Sequence, residues 1–309
     1  MIGRIVEVAD DRRHLFMSRG FMVVRDSDGE CKELGQVPLD DIAAVIANAH
    51  GLSYTNNLLV ALAERGAPFV LCGANHHPVG MLLPIDGNYQ QGKRFDAQLE
   101  ATKPLMKRLW AEVVRSKLQQ QAAALEAIGR PTAPLTALIS KVRSGDPENA
   151  EAQGARRYWS LLFGDGFKRD QDAGGLNAML NYGYTVLRAA MARAVIGAGL
   201  HPTLGLHHSN DSNAMRLVDD LMEPFRPVID LKIWLLQNNG ELTVTADTKR
   251  ALVRTLYDDM QTDLGATPVM VCTQKLAVSL AQVFLGEREK LDLPLPGLPL
   301  ALAASLVDE

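Results

Sequence analysis

The feature that most constrains this chain is a change of hydrophobic period near residue 84. Before it, apolar residues come in short alternating or β-branched runs; after it, they recur mostly at three- and four-residue spacing. Residues 4–8 alternate as a strand, and 14–18 and 21–24 flank Arg19-Gly20 as a tight hairpin. Asp26-Ser27-Asp28-Gly29 reads as a turn, 31–37 as a returning strand, and 42–47 as a short buried strand. Ser53 or Thr55 is placed to cap a helix that Gly66 ends, and 68–72 and 79–83 add two strands. The polar, turn-rich stretch 84–92 marks the boundary.

Beyond it the spacing predicts one helix over 94–127, through Leu99, Leu105, Leu109, Val113, Val114, Leu118 and Ala122. A short helix follows over 135–142, stopped by Ser144-Gly145-Asp146-Pro147. The next runs from about 148 to Gly164, then a polar and partly basic loop to 172, then a long helix over 176–199. A helix starting at Asp211 or Ser212 carries a group of acids, and 228–237, 248–264 and 269–285 read as further helices before a Pro-rich, extended tail. The expected fold class is α+β: a small N-terminal β-rich domain over 1–86, a linker at 87–94, and a larger all-α domain over 95–309 carrying the site.

Charge is uneven along this chain of 309 residues, net −4. Residues 1–100 carry 9 basic and 13 acidic groups, 101–200 carry 14 and 8, and 201–309 carry 9 and 15. The net charge argues against a globally basic nucleic-acid binder. A basic middle beside an acidic last third suits a metal nuclease, the band holding phosphates and the acids a cation. Solvated helix faces give the same counts. Cys31, Cys72 and Cys272 are far apart and not in metal spacing, which suits a reducing cytoplasm. No signal-peptide pattern opens the chain and no run of about 18 apolar residues exists, so a cytoplasmic protein with no membrane span is expected.

Three of the seven histidines, His201, His207 and His208, fall within eight positions, and Asp219, Asp220 and Glu223 follow. Imidazole and carboxylates are ligands of catalytic divalent metals. Asp220 and Glu223 are three apart and share a helix side, a spacing that also fits two acids on a solvated face. Glu223 precedes Pro224, which places it near a helix C-terminus, where a carboxylate is unfavourable by a few tenths to about 1 kcal/mol. A bound cation would reverse that sign, and so would Arg226. His207 and His208 are adjacent and point in different directions, so at most one is a ligand. No GxSxG, HExxH or CxxC is present. Residues 87–93 fit GxxxxGK, but Arg94 stands where a P-loop needs Ser or Thr, so the match is one of chance. His76-His77 read as solvent-facing turn residues.

Four blocks occur in order: Glu151-Ala152-Gln153-Gly154-Ala155-Arg156-Arg157-Tyr158-Trp159; Asn177-Ala178-Met179-Leu180-Asn181-Tyr182-Gly183-Tyr184; Gly199-Leu200-His201-Pro202 with Gly205-Leu206-His207-His208; and Asp220-Leu221-Met222-Glu223-Pro224-Phe225-Arg226-Pro227. Together they resemble the CRISPR-associated integrase of spacer acquisition, the first Cas family. The start, with Arg13-His14-Leu15 and Arg19-Gly20-Phe21, resembles members that accompany a single RNA-guided effector nuclease (type II systems). The resemblance covers nearly the whole chain.

The resemblance implies an N-terminal β-domain, a helical C-terminal domain, a homodimer formed largely through the N-terminal domains, and two such dimers bridged by a dimer of the second Cas protein. It leaves open whether the effector nuclease takes part. It implies Glu151, His208 and Glu223 as ligands of Mg²⁺ or Mn²⁺, with Asp220 a supporting acid; a register slip of one would put His207 in place of His208. The implied reaction is attack of a DNA 3′-hydroxyl on a phosphodiester, inserting short spacers into a CRISPR array in antiviral defence; with water as nucleophile the same site is an endonuclease. Arg156, Arg157, Lys168 and Arg169, in the basic third near Glu151, are the expected phosphate contacts on double-stranded DNA. The alternatives are a catalytically silent DNA-binding scaffold and a metal hydrolase of small substrates, the second fitting the ligands but not the basic band.

Overall fold

The computed structural model describes residues 3–27, 32–73, 78–297, 299 and 302. Asp28-Gly29, Cys31 and His76-His77 lie outside them, so the expectations for those positions have no structural counterpart. The first part holds β1 (Arg4–Val8), β2 (Arg13–Ser18), β3 (Phe21–Asp26), β4 (Glu33–Pro38), β5 (Ile42–Ala47), β6 (Ser53–Tyr54), α1 (Asn56–Glu64), β7 (Phe69–Cys72) and β8 (Pro78–Leu82). One sheet has the order β1-β5-β7-β8, with β8 antiparallel to β7 and the rest parallel. The other has the order β4-β3-β2-β6, with β3 antiparallel to both neighbours and β6 parallel to β2.

Arg19 (φ 49°) and Gly20 (φ 83°) make the two-residue turn between β2 and β3. Both take positive φ, which matches the right-handed twist of the flanking strands. Of the two capping candidates for α1, Thr55 does the work, accepting the Leu58 N–H, while Ser53 lies in β6. β5 is buried at all six positions, as a central parallel strand covered on both faces must be. Its Val45 and Ala47 join Leu15, Met22, Leu58 and Phe69 in a core within the β-rich part, while Ala44 and Ile46 join Ile5, Val70 and the helices in the larger core.

The second part holds α2 (Gln91–Glu100), α3 (Lys103–Ala127), α4 (Ala133–Ile139), α5 (Ala150–Phe163), α6 (Leu176–Gly197), α7 (Arg216–Met222), α8 (Arg226–Asn238), α9 (Ala246–Arg254), β9 (Asp259–Thr262), β10 (Gly265–Pro268) and α10 (Val269–Phe284). The expected single helix over 94–127 is two. Thr102 accepts the Leu105 N–H and Pro104 sits in the first turn, so a new helix starts there. Leu99, read as part of the apolar stripe, is consequently 67% exposed on α2. The expected helix over 248–264 stops at Arg254, and a short 3₁₀ turn leads into the β9–β10 hairpin, so the helical part is not purely helical. Gly265 at φ 95° supplies the reversal that a helix there would forbid. The helix carrying the acids starts at Arg216 rather than at Asp211 or Ser212. Beyond α10 the chain is extended and packed down, with Leu295 accepting a hydrogen bond from Gln120 of α3. Gly92 and Lys93 of the GxxxxGK match lie within α2.

The two parts are tied by a half-buried carboxylate. Glu7, in β1, accepts hydrogen bonds from Asn48 (2.6 Å), Lys249 (2.8 Å) and Tyr182 (2.8 Å). Among the described residues no helix is long and apolar enough to cross a membrane.

Candidate active site

Glu151 stands in the first turn of α5. Asn149, at φ 53°, caps the helix, and the Asp146 carboxylate accepts the Ala150 and Glu151 N–H groups at 2.9 Å each. A carboxylate near the positive end of a helix is favourably placed. Gly154, one turn on, lets α5 approach α3 closely: a Cβ there would come within 2.3 Å of Leu118. That approach brings Lys117 of α3 against Glu151, and the two form an ion pair and hydrogen bond.

Glu223 follows α7 directly, and Pro224 ends that helix as expected, through one 3₁₀ turn into α8. Arg226, one of the two expected answers to its position, is in place, and Lys117 adds a second side-chain cation. Glu223 Oε1 lies 3.2 Å from Arg226 Nη2, and its Oε2 lies 2.5 Å from Lys117 Nζ. The Lys117 contact is an ion pair without hydrogen-bond geometry, since Oε2 is buried and has no hydrogen-bond partner. Burial would raise the Glu223 pKa, but Arg226 and Lys117 outweigh it and hold the carboxyl below its ordinary value. Burial likewise opposes the charge of Lys117, and Glu223 and Glu151 outweigh it, raising its pKa.

The two acids are thus not on a solvated face. Asp220 is fully buried and anchors the histidine loop. Its Oδ2 accepts the N–H of Leu206 (2.6 Å) and of His207 (3.1 Å), and its Oδ1 lies 2.5 Å from His208 Nδ1. The loop fits because Gly205 has no side chain: a Cβ there would meet Asp220 Oδ2 at 2.8 Å and the His208 carbonyl at 2.9 Å. The carboxylate bond assigns the proton to Nδ1 and leaves Nε2 as the ring nitrogen available to a ligand. That hydrogen bond also raises the His208 pKa, against the effect of burial. His207 is used otherwise. Its ring stacks flat on Trp110, with centroids 4.5 Å apart.

Glu151, His208 and Glu223 line one cavity of about 620 Å³, together with Lys117, Arg169 and Arg226. Of the four expected phosphate contacts only Arg169 is in that wall, held by Asn177 (3.0 Å) and Asn181 (2.6 Å). Arg156, Arg157 and Lys168 are exposed and do not line the cavity. Arg188 does, its Nε and Nη2 donating to the two carboxylate oxygens of Asp219 at 2.8 and 2.9 Å. Deeper in, Asp230 is buried and accepts the Tyr184 hydroxyl at 2.5 Å; burial pushes its pKa up to about 7 despite that bond. Lys117, Arg188 and Asp230 were not singled out by spacing. A lysine or arginine inside an amphipathic helix carries no local mark of what it faces.

Among the described residues no three His, Cys, Asp or Glu side chains are gathered as a ready-made metal site. The donor set nonetheless fits a hard divalent cation. Two carboxylates face each other across the Lys117 ammonium, one has an oxygen without a hydrogen bond, and a carboxylate-oriented imidazole shares the cavity.

Residues 7–260 match the family model described as "CRISPR associated protein Cas1". The chain is 39% identical over 264 residues to the CRISPR-associated endonuclease Cas1 of Neisseria meningitidis serogroup C, across 84% of this chain and 86% of that one. Among solved structures, a casposase bound to integration product superposes with a TM-score of 0.80 at 19% identity, covering 94% and 93% of the two chains. A Cas6-RT-Cas1–Cas2 complex superposes with a TM-score of 0.76 at 17% identity, covering 94% of this chain and 36% of that longer one.

Proposed function

The chain belongs to the Cas1 family of CRISPR-associated proteins, and from that membership we propose that it is a divalent-metal-dependent DNA endonuclease and integrase. In this reading it joins the 3′-hydroxyl of a short DNA fragment to a phosphodiester of a CRISPR array. The observation that carries it is the meeting of Glu151, His208 and Glu223 in one cavity whose wall also holds Arg169, Arg188 and Arg226.

Glu151, Glu223 and His208 Nε2 are the groups that would hold Mg²⁺ or Mn²⁺, with nitrogen better tolerated by Mn²⁺. When bound, such an ion supplies Lewis-acid polarisation of a phosphodiester oxygen and eases ionisation of the attacking hydroxyl. The chain's own part is positioning. Asp220 fixes the imidazole tautomer and tilt, Arg226 holds the Glu223 carboxylate, and Arg169 presents a guanidinium to phosphate from an Asn-braced fork. No covalent enzyme intermediate or ATP is needed, because the reaction exchanges one phosphodiester for another.

Partners follow from the same reading: double-stranded DNA, a second copy of the chain joined through the β-rich parts, and the second Cas protein bridging two dimers, in the cytoplasm. A relative's structure with Cas2 and another with an integration product support partners of these kinds. The test is strand transfer into supercoiled plasmid carrying the array, with 3′-hydroxyl duplexes, the second Cas protein and Mn²⁺. The wild-type chain gives joined, relaxed product, and His208→Ala does not. A wild-type chain that binds the DNA and neither joins nor nicks it is a scaffold, and the enzyme reading falls.

A further inference from the structure

We propose that Lys117 is a resident counter-cation that makes the binding of a divalent metal and of DNA phosphate to this site interdependent. The inference rests on reading the cavity as a metal-dependent DNA site. Its basis is the charge inventory. Glu151 and Glu223 contribute two negative charges, and Lys117 and Arg226 two positive ones, all in contact. Without a metal the group is neutral. The Lys117 side chain is only 7% exposed and lies between the carboxylates that would be ligands.

Adding a divalent ion to a neutral, mostly buried set leaves two positive charges in excess, in surroundings that screen them poorly. A DNA phosphate entering the same cavity supplies negative charge where it is missing. The metal therefore binds better when phosphate is present, and by thermodynamic reciprocity phosphate binds better when metal is present. Lys117 is placed to yield. It lines the open cavity, and its four-carbon stem lets the ammonium follow an arriving phosphate. Arg226 differs: its planar fork is stacked over the Tyr184 ring at 4.9 Å and stays put.

The experiment measures Mn²⁺ uptake by the full-length chain from the loss of the free-ion spin-resonance signal, with and without a 3′-hydroxyl-ended duplex. In the wild type, DNA raises the Mn²⁺ affinity at least about tenfold, a coupling of roughly 1.4 kcal/mol. Lys117→Gln raises the DNA-free affinity towards the DNA-bound value, so the ratio falls towards one. A Lys117→Gln protein with unchanged DNA-free affinity and unchanged ratio would make Lys117 a structural neutraliser only and overturn the proposal. So would a wild-type chain in which DNA leaves Mn²⁺ uptake unaltered, a result that stands even if the neutral variant does not fold. Glu223→Gln separates the two levels. If it abolishes Mn²⁺ uptake while Lys117→Gln changes nothing, only the Lys117 role is lost; if uptake persists in Glu223→Gln, the metal-site reading is lost with it.

Discussion

His208 Nδ1 lies 2.5 Å from Oδ1 of Asp220, a carboxylate with no solvent exposure that also holds the backbone of Leu206 and His207. One buried acid thus sets both the path of the loop and the tautomer of its imidazole. The third residue of the cluster, His201, is engaged elsewhere, its N–H bonded to Gln98 and its ring edge-on to Phe95.

Asp220→Asn should lower Mn²⁺ affinity by about 10–100-fold, as loss of an outer-shell carboxylate does. The amide still accepts one loop N–H, so the fold should survive with about 1–3 kcal/mol less stability. Metal titration together with urea denaturation checks both halves; an unchanged metal affinity would detach Asp220 from the site.

Gly205→Ala should be costly although it adds one methyl. The new Cβ would stand 2.8 Å from Asp220 Oδ2 and 3.0 Å from Arg216 Cβ, so the loop must shift. A loss of about 1–3 kcal/mol is expected, accompanied by lost strand transfer, because the shift moves His208. A variant with full stability and activity would contradict the packing described.

Glu7→Ala should destabilise the chain by about 1–3 kcal/mol, since it takes from Lys249 its ion-pair partner and strips Tyr182 and Asn48 of an acceptor. Glu7→Gln, which keeps an acceptor, should lose less. Thermal unfolding of both variants measures the difference.

Legibility in the sequence varied with the range of the cause. The Arg19-Gly20 turn, the Thr55 cap and the end of α7 at Pro224 were readable because each is settled by neighbours in the chain. So was the need of Glu223 for a cation, which Arg226 meets from three residues away. The burial of Asp220 was not readable, because it depends on a loop 12–14 residues earlier in the chain folding over it. Nor was Lys117, whose meaning arises only where Gly154 lets α5 close on α3. Of the basic groups near Glu151, Arg169 lines the cavity with Arg188 and Arg226, while Arg156 and Arg157 are exposed outside it, a placement that spacing along the chain could not assign. Which of Glu151's many fellow acids belongs to the site was carried by family resemblance alone.

Asp230 gives a pH prediction with a definite sign. Its folded pKa, about 7, is raised above the ordinary 3.8 by burial. A carboxyl raised in this way favours the folded state below its unfolded pKa, and that contribution is lost as pH rises towards 7. Asp230→Asn, still able to accept the Tyr184 hydroxyl, should flatten the fall in stability between about pH 4 and 7 and be the more stable form at pH 8. Denaturation at pH 5 and pH 8 decides it; parallel curves for the two proteins would refute the assignment.

Glu151, His208 and Glu223 are proposed to hold one divalent ion. Anomalous scattering from crystals of the chain soaked in Mn²⁺ with DNA would locate that ion. The expected result is a peak within coordination distance of the Glu151 and Glu223 carboxylates and of His208 Nε2, with the Lys117 ammonium moved off the line between the two acids. Manganese bound only elsewhere, with Lys117 still seated between Glu151 and Glu223, would contradict it.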